Sequence, residues 1–344
     1  MTTMSGPRPT LDDVAAAVGV SKATVSKVVN GRPRISPGTR QRVMAAVEEL
    51  GYVRTATARV SASVPSMSVV FRTFSDIYTT RVLEGVIMAG HQHGVEVVAD
   101  ALDLAEGDHQ VMSPSWLRAQ AARQRTGLIL VTIELTAAQR KLIAQLGLAV
   151  VHIDPINPLV DETISVGSTN YTGGTQAVQH LVNLGHRRIA YAGGPTESVP
   201  ARERLQAYLA TITAVGVDPA PELQLMEDHK YESGLLMGER LLALDDPPTA
   251  IFAGSDSIAL GVLEAARRHG VRVPVDLSIV GFDDTYAATS ATPALTTVRQ
   301  PLVEMGRVAM RTVLQLDRGE AMDSPHVQLS TQLVVRASTA PPAH

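Results

Sequence analysis

Short apolar runs recur along the chain from residue 67 onward: SVVFRT, VEVVADAL, GLILVTI, LAVVHID, ISVG, RIAYAGG, LQLME, TAIFAGS and LSIVGFDD. Between them, residues 80–93, 172–184, 202–215, 232–243 and 257–269 return an apolar side chain every three to four positions. The short runs read as buried strands and the longer period as amphipathic helix. Regular alternation of the two predicts α/β architecture with doubly wound parallel sheets. Roughly 270 residues exceed what one compact sheet holds, so two similar lobes are expected. In such sheets ligands lie at the carboxyl ends of the strands, which places a cleft between the lobes.

The first fifty residues have a different pattern. Thr10 with Asp13 forms a capping box ahead of Val14, Ala15, Ala16 and Val18, and Gly19 stops that helix. Ser21 caps a second helix over 23–29, ended by Asn30 and Gly31. Ser36, with Pro37 at the first helical position, opens a third through Arg40, Val43, Val47 and Leu50, stopped by Gly51. So short a link between the first two helices predicts a helix-turn-helix. On the second helix Val25, Val28 and Val29 face inward, leaving Lys22, Ala23, Ser26 and Lys27 outside.

Charge sharpens this division. Residues 1–60 carry nine Arg or Lys against four Asp or Glu, while the remaining 284 carry 21 against 30, giving the chain its net −4. A basic module on an acidic body suits duplex DNA, because cations set against phosphates release condensed counterions. In a major groove, a Lys can donate to guanine and an Ala can meet a thymine methyl. Arg32, Arg34, Ser36, Thr39 and Arg40 are placed to hold the phosphate backbone. The absence of cysteine excludes disulfides and thiolate chemistry. No signal-peptide core or membrane-length apolar run is present, so a cytoplasmic protein without a membrane partner is expected.

Polar residues stranded at the strand ends are the ligand candidates: Arg72, Asp76 and Tyr78 after the first strand, Asp154 after VVHI, Arg202 and Arg204 after YAGG, Ser255 and Asp256 after IFAG, and Asp283 and Asp284 after IVGF. Carboxylates and guanidinium bond neighbouring hydroxyls in pairs, and rings stack on sugar C–H faces, which favours a neutral polyol such as a sugar. Tyr78, Tyr171 and His229 are the side chains able to stack. A nucleobase is the alternative ligand. No cofactor and no metal site are expected, and no Gly-x-Ser-x-Gly, Walker loop or dinucleotide fingerprint marks an enzyme. The rival class is a sugar-binding protein without DNA activity, which leaves residues 10–52 without a task.

The stretch TLDDVAAAVGVSKATVSKVVNGRPRISPGTRQRVMAAVEELGY resembles the head of the LacI/GalR family of bacterial transcription regulators. The resemblance puts Lys22, Ala23 and Lys27 at base-reading positions, and Thr10, Leu11, Ser21, Thr24, Asn30 and Thr39 at other DNA-contacting or head-packing positions. The family more often has Arg where Lys27 stands. It also continues with a Pro-Asn pair and a hinge helix ending in a leucine wedge; here Arg54 and Thr55 replace the pair and Ser61 the leucine. A serine is a poor wedge, so a weak or absent kink is expected. An Ala-rich helix ordering on DNA and a linker without fixed structure up to Pro65 both remain open.

Residues 67 to about 339 resemble the family's effector domain, itself similar to periplasmic sugar-binding proteins. That resemblance places Arg204 of ARERLQAY, Asp283 of VGFDD and Asp154 of VHID in the ligand pocket, His229 where an aromatic ring often stacks, and Ser255 where Asn is usual. His186, in LGHRRIAYAGGP, is read as a satisfied structural or allosteric residue. The expected layout is a head over 1–53, a hinge over 54–66 and a body over 67–340. The first lobe then takes about 67–166 and 294–322, the second about 167–293 and 323–340. The tail ASTAPPAH lacks leucine heptads, so a homodimer on a pseudo-palindromic operator is expected. Ligand and operator are then coupled, with inducer and corepressor both open.

Overall fold

The computed structural model describes residues 10–29, 35–50, 65–102, 111–156, 163–217 and 219–343. The chain divides into two compact units, Met1–Ser63 and Val64–His344.

In the first unit, α1 (Leu11–Val18), α2 (Lys22–Val29) and α3 (Pro37–Glu49) follow the capping signals. The Thr10 N–H donates to the Asp13 carboxylate at 2.6 Å, and the Asp13 N–H returns a bond to the Thr10 hydroxyl. Gly19 ends α1 at φ 67°, a left-handed backbone that a side chain would disfavour. Ser21 accepts from the Thr24 N–H and Ser36 from the Thr39 N–H. Val14, Ala15, Val25, Val28, Val43 and Ala46 make a small shared core, with Val29 only partly buried at its edge. The third helix ends at Glu49, one residue short of the expected Leu50. Asn30, Arg32, Arg34 and the hinge with Ser61 lie outside the described residues.

The second unit has two six-stranded sheets. The first contains β1 (Ser66–Phe71), β2 (Glu96–Ala101), β3 (Arg125–Val131), β4 (Ala149–Ile153), β5 (Ser165–Ser168) and β11 (His326–Leu329). The second contains β6 (Ile189–Gly193), β7 (Gln224–Met226), β8 (Ala250–Ala253), β9 (Ser278–Asp283), β10 (Thr296–Arg299) and β12 (Gln332–Val334). Their orders, β2-β1-β3-β4-β5-β11 and β7-β6-β8-β9-β10-β12, are the same path repeated. All pairings are parallel except β12, which runs antiparallel to β10 on the sheet edge. Central strands are buried on both faces, which is why they read as unbroken apolar runs.

Helices cover both faces of each sheet. On the first sheet α4 (Ile77–Gln92) and α12 (Leu302–Asp317) enclose a core around Phe71, Val86, Ile129 and Met305. These two helices touch closely: a Cβ on Gly85 would lie 1.9 Å from the Val303 carbonyl oxygen. The other face carries α5 (Pro114–Ala122) and α6 (Ala137–Leu146) around Leu117, Leu128 and Leu130. On the second sheet α7 (Asn170–Asn183) and α8 (Val199–Ala214) pack around Tyr191, Tyr208 and Phe252, opposite α9 (Tyr231–Leu242) and α10 (Asp256–Arg268), and the short α11 (Tyr286–Ser290) follows β9.

The chain passes between the sheets three times, after β5, after β10 and after β11. Two of the expected lobe limits therefore move. The sequence pattern puts residues 296–299 in the returning first lobe, but β10 pairs in register with β9 in the second sheet, and only α12 returns. The same pattern puts residues 326–329 in the second lobe, but β11 pairs with β5 in the first. Strand pairing over long sequence separations decided both. The crossings are tied to one another: the Thr169 N–H donates to the Leu329 carbonyl at 3.0 Å, the Thr331 N–H to the Thr169 hydroxyl at 3.0 Å, and the Ser168 hydroxyl to Gln300 Oε1.

Candidate functional site

Two groups of residues stand out, one in each unit. On the helix pair, Ala23 and Lys27 are exposed on α2, and the Lys27 ammonium makes no ion pair among the described residues. Lys22 is exposed too, but its ammonium is met by the Asp12 carboxylate of α1 at 2.7 Å. Thr10, Ser21, Thr24, Ser36 and Thr39 spend their side chains on the helix starts, and Leu11 leans on the small core. Ser26 and Arg40 are partly buried. The face thus presents cations and a methyl over a rigid, well-capped frame.

In the second unit the carboxyl ends of both sheets converge on one guanidinium. Arg204, within α8 and 4% exposed, donates from Nε to Asn170 Oδ1 at 2.9 Å and from Nη1 to the Gly254 carbonyl at 2.6 Å. Its Cζ lies 3.9 Å from the centre of the Phe282 ring, a cation–π contact in a desolvated place. Asn170 is itself held by its Nδ2 bond to the Ser168 carbonyl. Around this cation stand acidic groups from both lobes. Asp154 closes β4 with φ 45° and accepts from the Tyr78 hydroxyl at 2.6 Å; Asp283 closes β9 with φ 116° and accepts from Gln300 Nε2 at 2.6 Å. Non-glycine residues in such backbone regions are enriched at functional sites.

Burial raises the pKa of all three neighbouring carboxyls, Asp154, Asp283 and Glu203, and the positive charge of Arg204 works against that rise at each. Tyr78 is raised well above its ordinary value by burial and by the Asp154 charge, so it stays a donor. His229 lies over Gly194, where a Cβ would come within 2.1 Å of the ring. Burial and the Arg204 charge push its pKa down to about 4, so the imidazole is neutral near pH 7 and can stack or donate one hydrogen bond. Asp76 caps α4 by accepting from the Tyr78 N–H at 2.9 Å, and its charge adds to the rise at Asp283. A basin of donors and acceptors drawn from two lobes, with apolar ring surface beneath, fits a compact hydroxyl-bearing solute.

Other sequence candidates are occupied elsewhere. Asp256 is fully engaged: its oxygens accept from the Thr285 N–H at 2.7 Å and from the Thr285 and Thr297 hydroxyls, while burial raises its pKa to about 6. Ser255 caps α10 through the Ile258 N–H. Arg202 donates to the Thr196 and Glu197 carbonyls and braces its own loop. Tyr171 is 47% exposed on α7, and no polar contact of the described residues ties it to the Arg204 group. Arg72 is exposed, and its charge is felt by Lys230 of the opposite lobe. Asp284 is paired with Arg299 and Arg336.

Three residues of the group escaped the sequence reading: Asn170, Glu203 and Gln300. Glu203 sits beside Arg204 in ARERLQAY and Gln300 within TTVRQPLVEMG, so motif context could have flagged both; Asn170 follows a strand of four residues and carries no such signal. Elsewhere, at the amino end of β6, a cavity of about 200 Å³ is lined by Arg187, Arg188, Tyr208, Ile212 and Val217. It lies at the far end of that strand from Gly194.

Two family models match the chain: bacterial regulatory proteins of the lacI family over residues 10–55, and a periplasmic binding protein-like domain over residues 178–339. Catabolite control protein A of Priestia megaterium is 33% identical over 337 residues, covering 96% of this chain and 99% of its own. The chain belongs to the LacI family. Among solved structures, a transcriptional regulator CelR–cellobiose complex is 32% identical at a TM-score of 0.72, covering 96% of this chain and all of that one. A lac repressor dimer bound to operator and the anti-inducer ONPF superposes with a TM-score of 0.75 at 29% identity, over 97% of this chain. LacI-family proteins of this kind are transcriptional regulators rather than enzymes, in line with the sequence reading. No helix of the described residues is long and apolar enough to cross a membrane.

Proposed function

We propose that this LacI-family regulator is a DNA-binding repressor, active as a homodimer, whose operator affinity is set by a small neutral polyol held between the two lobes. The observation that carries the reading is the Arg204 group: one buried guanidinium on α8 with Glu203 beside it and with Asp154 and Asp283 at strand ends of the two lobes. The solute class follows from the hydrogen-bonding balance, since vicinal hydroxyls can donate to a carboxylate and accept from a guanidinium in the same plane. The relative in complex with cellobiose supports a sugar in particular. On the DNA side, Ala23 and Lys27 are the base-facing residues, with Lys22 held beside them by Asp12; the relative in complex with its operator supports DNA as the partner. The functional layout is a head to about residue 53, a hinge, and two lobes that close on the solute. A solute that prefers one interlobe angle then shifts the operator-competent population by a reciprocal free energy of about 1–3 kcal/mol.

The test is a gel shift of the full chain on its own upstream region, repeated with cellobiose, glucose, ribose, adenine and adenosine. A sugar that changes the apparent affinity several-fold is expected. A response to the purines alone would replace the polyol by a nucleobase, and the absence of any band shift would overturn the DNA assignment.

A further inference from the structure

The tip of β9 is held by an arrangement of its own. Asp283 and Asp284 both have left-handed backbone, φ 116° and 55°, a strained pair for residues with side chains. Such a pair persists when its surroundings over-determine it. Each of three consecutive residues is indeed fixed, and the partners come from three segments: residues 299–300, Asp256 and Arg336. The Gln300 side chain donates to the Asp283 carboxylate at 2.6 Å, and the Gln300 N–H to the Asp283 carbonyl at 3.2 Å. Thr285 donates its N–H and hydroxyl to Asp256. Between them, the Asp284 carboxylate accepts from Arg299 Nε on one oxygen and from Arg336 Nη2 on the other, both at 2.6 Å.

The two arginines differ. Arg299 is 52% exposed, whereas Arg336 is 17% exposed, facing an Asp284 side chain of only 6%. Arg336 is also seated, with Nη1 on the Leu295 carbonyl at 2.8 Å and its own N–H on the Thr296 hydroxyl at 2.9 Å. A desolvated pair fixed at both ends is the stronger orienting element, because exposed ion pairs are screened by water. Arg336 belongs to the carboxyl-terminal tail, more than fifty residues beyond the loop it grips.

We infer that Arg336 is a positioning residue for the effector: by gripping Asp284 it holds the left-handed pair and so keeps the Asp283 carboxylate presented to the cleft. The tail thereby completes a site that it does not touch. This rests on the reading of the cleft given above, and the two can fail separately. If the tail were only an anchor for the second lobe, a different tail residue would serve as well. Ser338 provides that control, since it is fully buried and its hydroxyl bonds the Ile279 carbonyl and the Thr296 N–H without touching Asp284.

The experiment compares full-length Arg336→Gln, Arg336→Lys and Ser338→Ala with the unchanged chain. Hydrogen exchange is read over residues 282–286, and affinity is read by thermal shift with cellobiose, glucose and ribose. Faster exchange confined to that loop in Arg336→Gln is expected, with Arg336→Lys intermediate and Ser338→Ala unchanged there despite a lower melting temperature. For any sugar that binds, affinity should fall about tenfold or more in Arg336→Gln and stay within about twofold in Ser338→Ala, as removal of a charged hydrogen-bond partner implies. Equal exchange in the loop for all variants, or equal affinity loss in Arg336→Gln and Ser338→Ala, would overturn the inference. If none of the three sugars shifts the unchanged chain, the polyol reading fails while the loop exchange still decides the grip.

Discussion

The helix pair and the cleft use charge in opposite ways. On the helix pair the cations are exposed: Lys22 is 60% accessible and Lys27 stands without an ion pair among the described residues. In the cleft the central cation, Arg204, is 4% exposed and is oriented by two bonds, from Nε to Asn170 and from Nη1 to the Gly254 carbonyl. The difference follows from what each would bind. A polyanion supplies a strong, long-range field, so exposed flexible cations suffice and frame rigidity comes from the caps behind them. A small solute supplies little field, so its partners must be desolvated and oriented before it arrives.

The largest way to break that comparison is Arg204→Met. Asn170 Oδ1 and the Gly254 carbonyl lose their donor, and Asp154, Asp283 and Glu203 lose the countercharge that offsets their burial. A stability loss of about 3 kcal/mol by denaturant melts is expected, as for removal of one member of a buried charge group. Sugar affinity should fall by about a hundredfold, with unliganded DNA affinity unchanged. A variant as stable as the original would mean the group is not desolvated.

Acidification probes the buried side of the same contrast, at His229 in the cleft and at Asp256 behind it. Asp256, raised from 3.8 to about 6, takes up a proton in the native state first, so between about pH 6 and 4 it adds stability as pH falls. His229, lowered from 6.5 to about 4, does the reverse: the unfolded chain is protonated first and stability is lost over roughly that window. Each shift is worth up to about 3 kcal/mol. Melts from pH 7 to 4.5 should therefore show a steeper acid loss for Asp256→Asn than for the unchanged chain, and a shallower one for His229→Gln. Parallel curves for all three would remove both assignments.

The smallest effect belongs to the exposed side. Lys27→Ala should weaken binding to the upstream DNA about tenfold while moving the melting temperature little. If it cost as much stability as Arg204→Met, the head would be using buried charge as well, and the contrast would dissolve.

Much of this was legible in residues that act on near neighbours. Thr10 with Asp13, Ser21 with Thr24 and Ser36 with Thr39 cap helices three residues away, so the head could be read directly. The apolar runs marked the central strands because parallel strands are buried on both sides. Asp154 and Asp283 were recognisable as polar residues stranded at strand ends, and Arg204 as one that follows YAGG, although it lies within α8. Asp256 and Asp284 looked identical to them in sequence, yet one is taken by Thr285 and Thr297 and the other by Arg299 and Arg336.

By itself, then, the chain determined what local interactions can encode: helix starts and stops, the strand–helix alternation, and a basic head joined to an acidic body. Tertiary structure alone decided which sheet received β10 and β11, which carboxylates were left to face the cleft, and that an arginine of the tail grips the loop beside Asp283. The physical reason is distance along the chain. A cap is closed over three residues, whereas the partners of Asp256 lie 29 and 41 residues away and those of Asp284 lie 15 and 52. Only the folded sheets bring those groups within a hydrogen bond of each other.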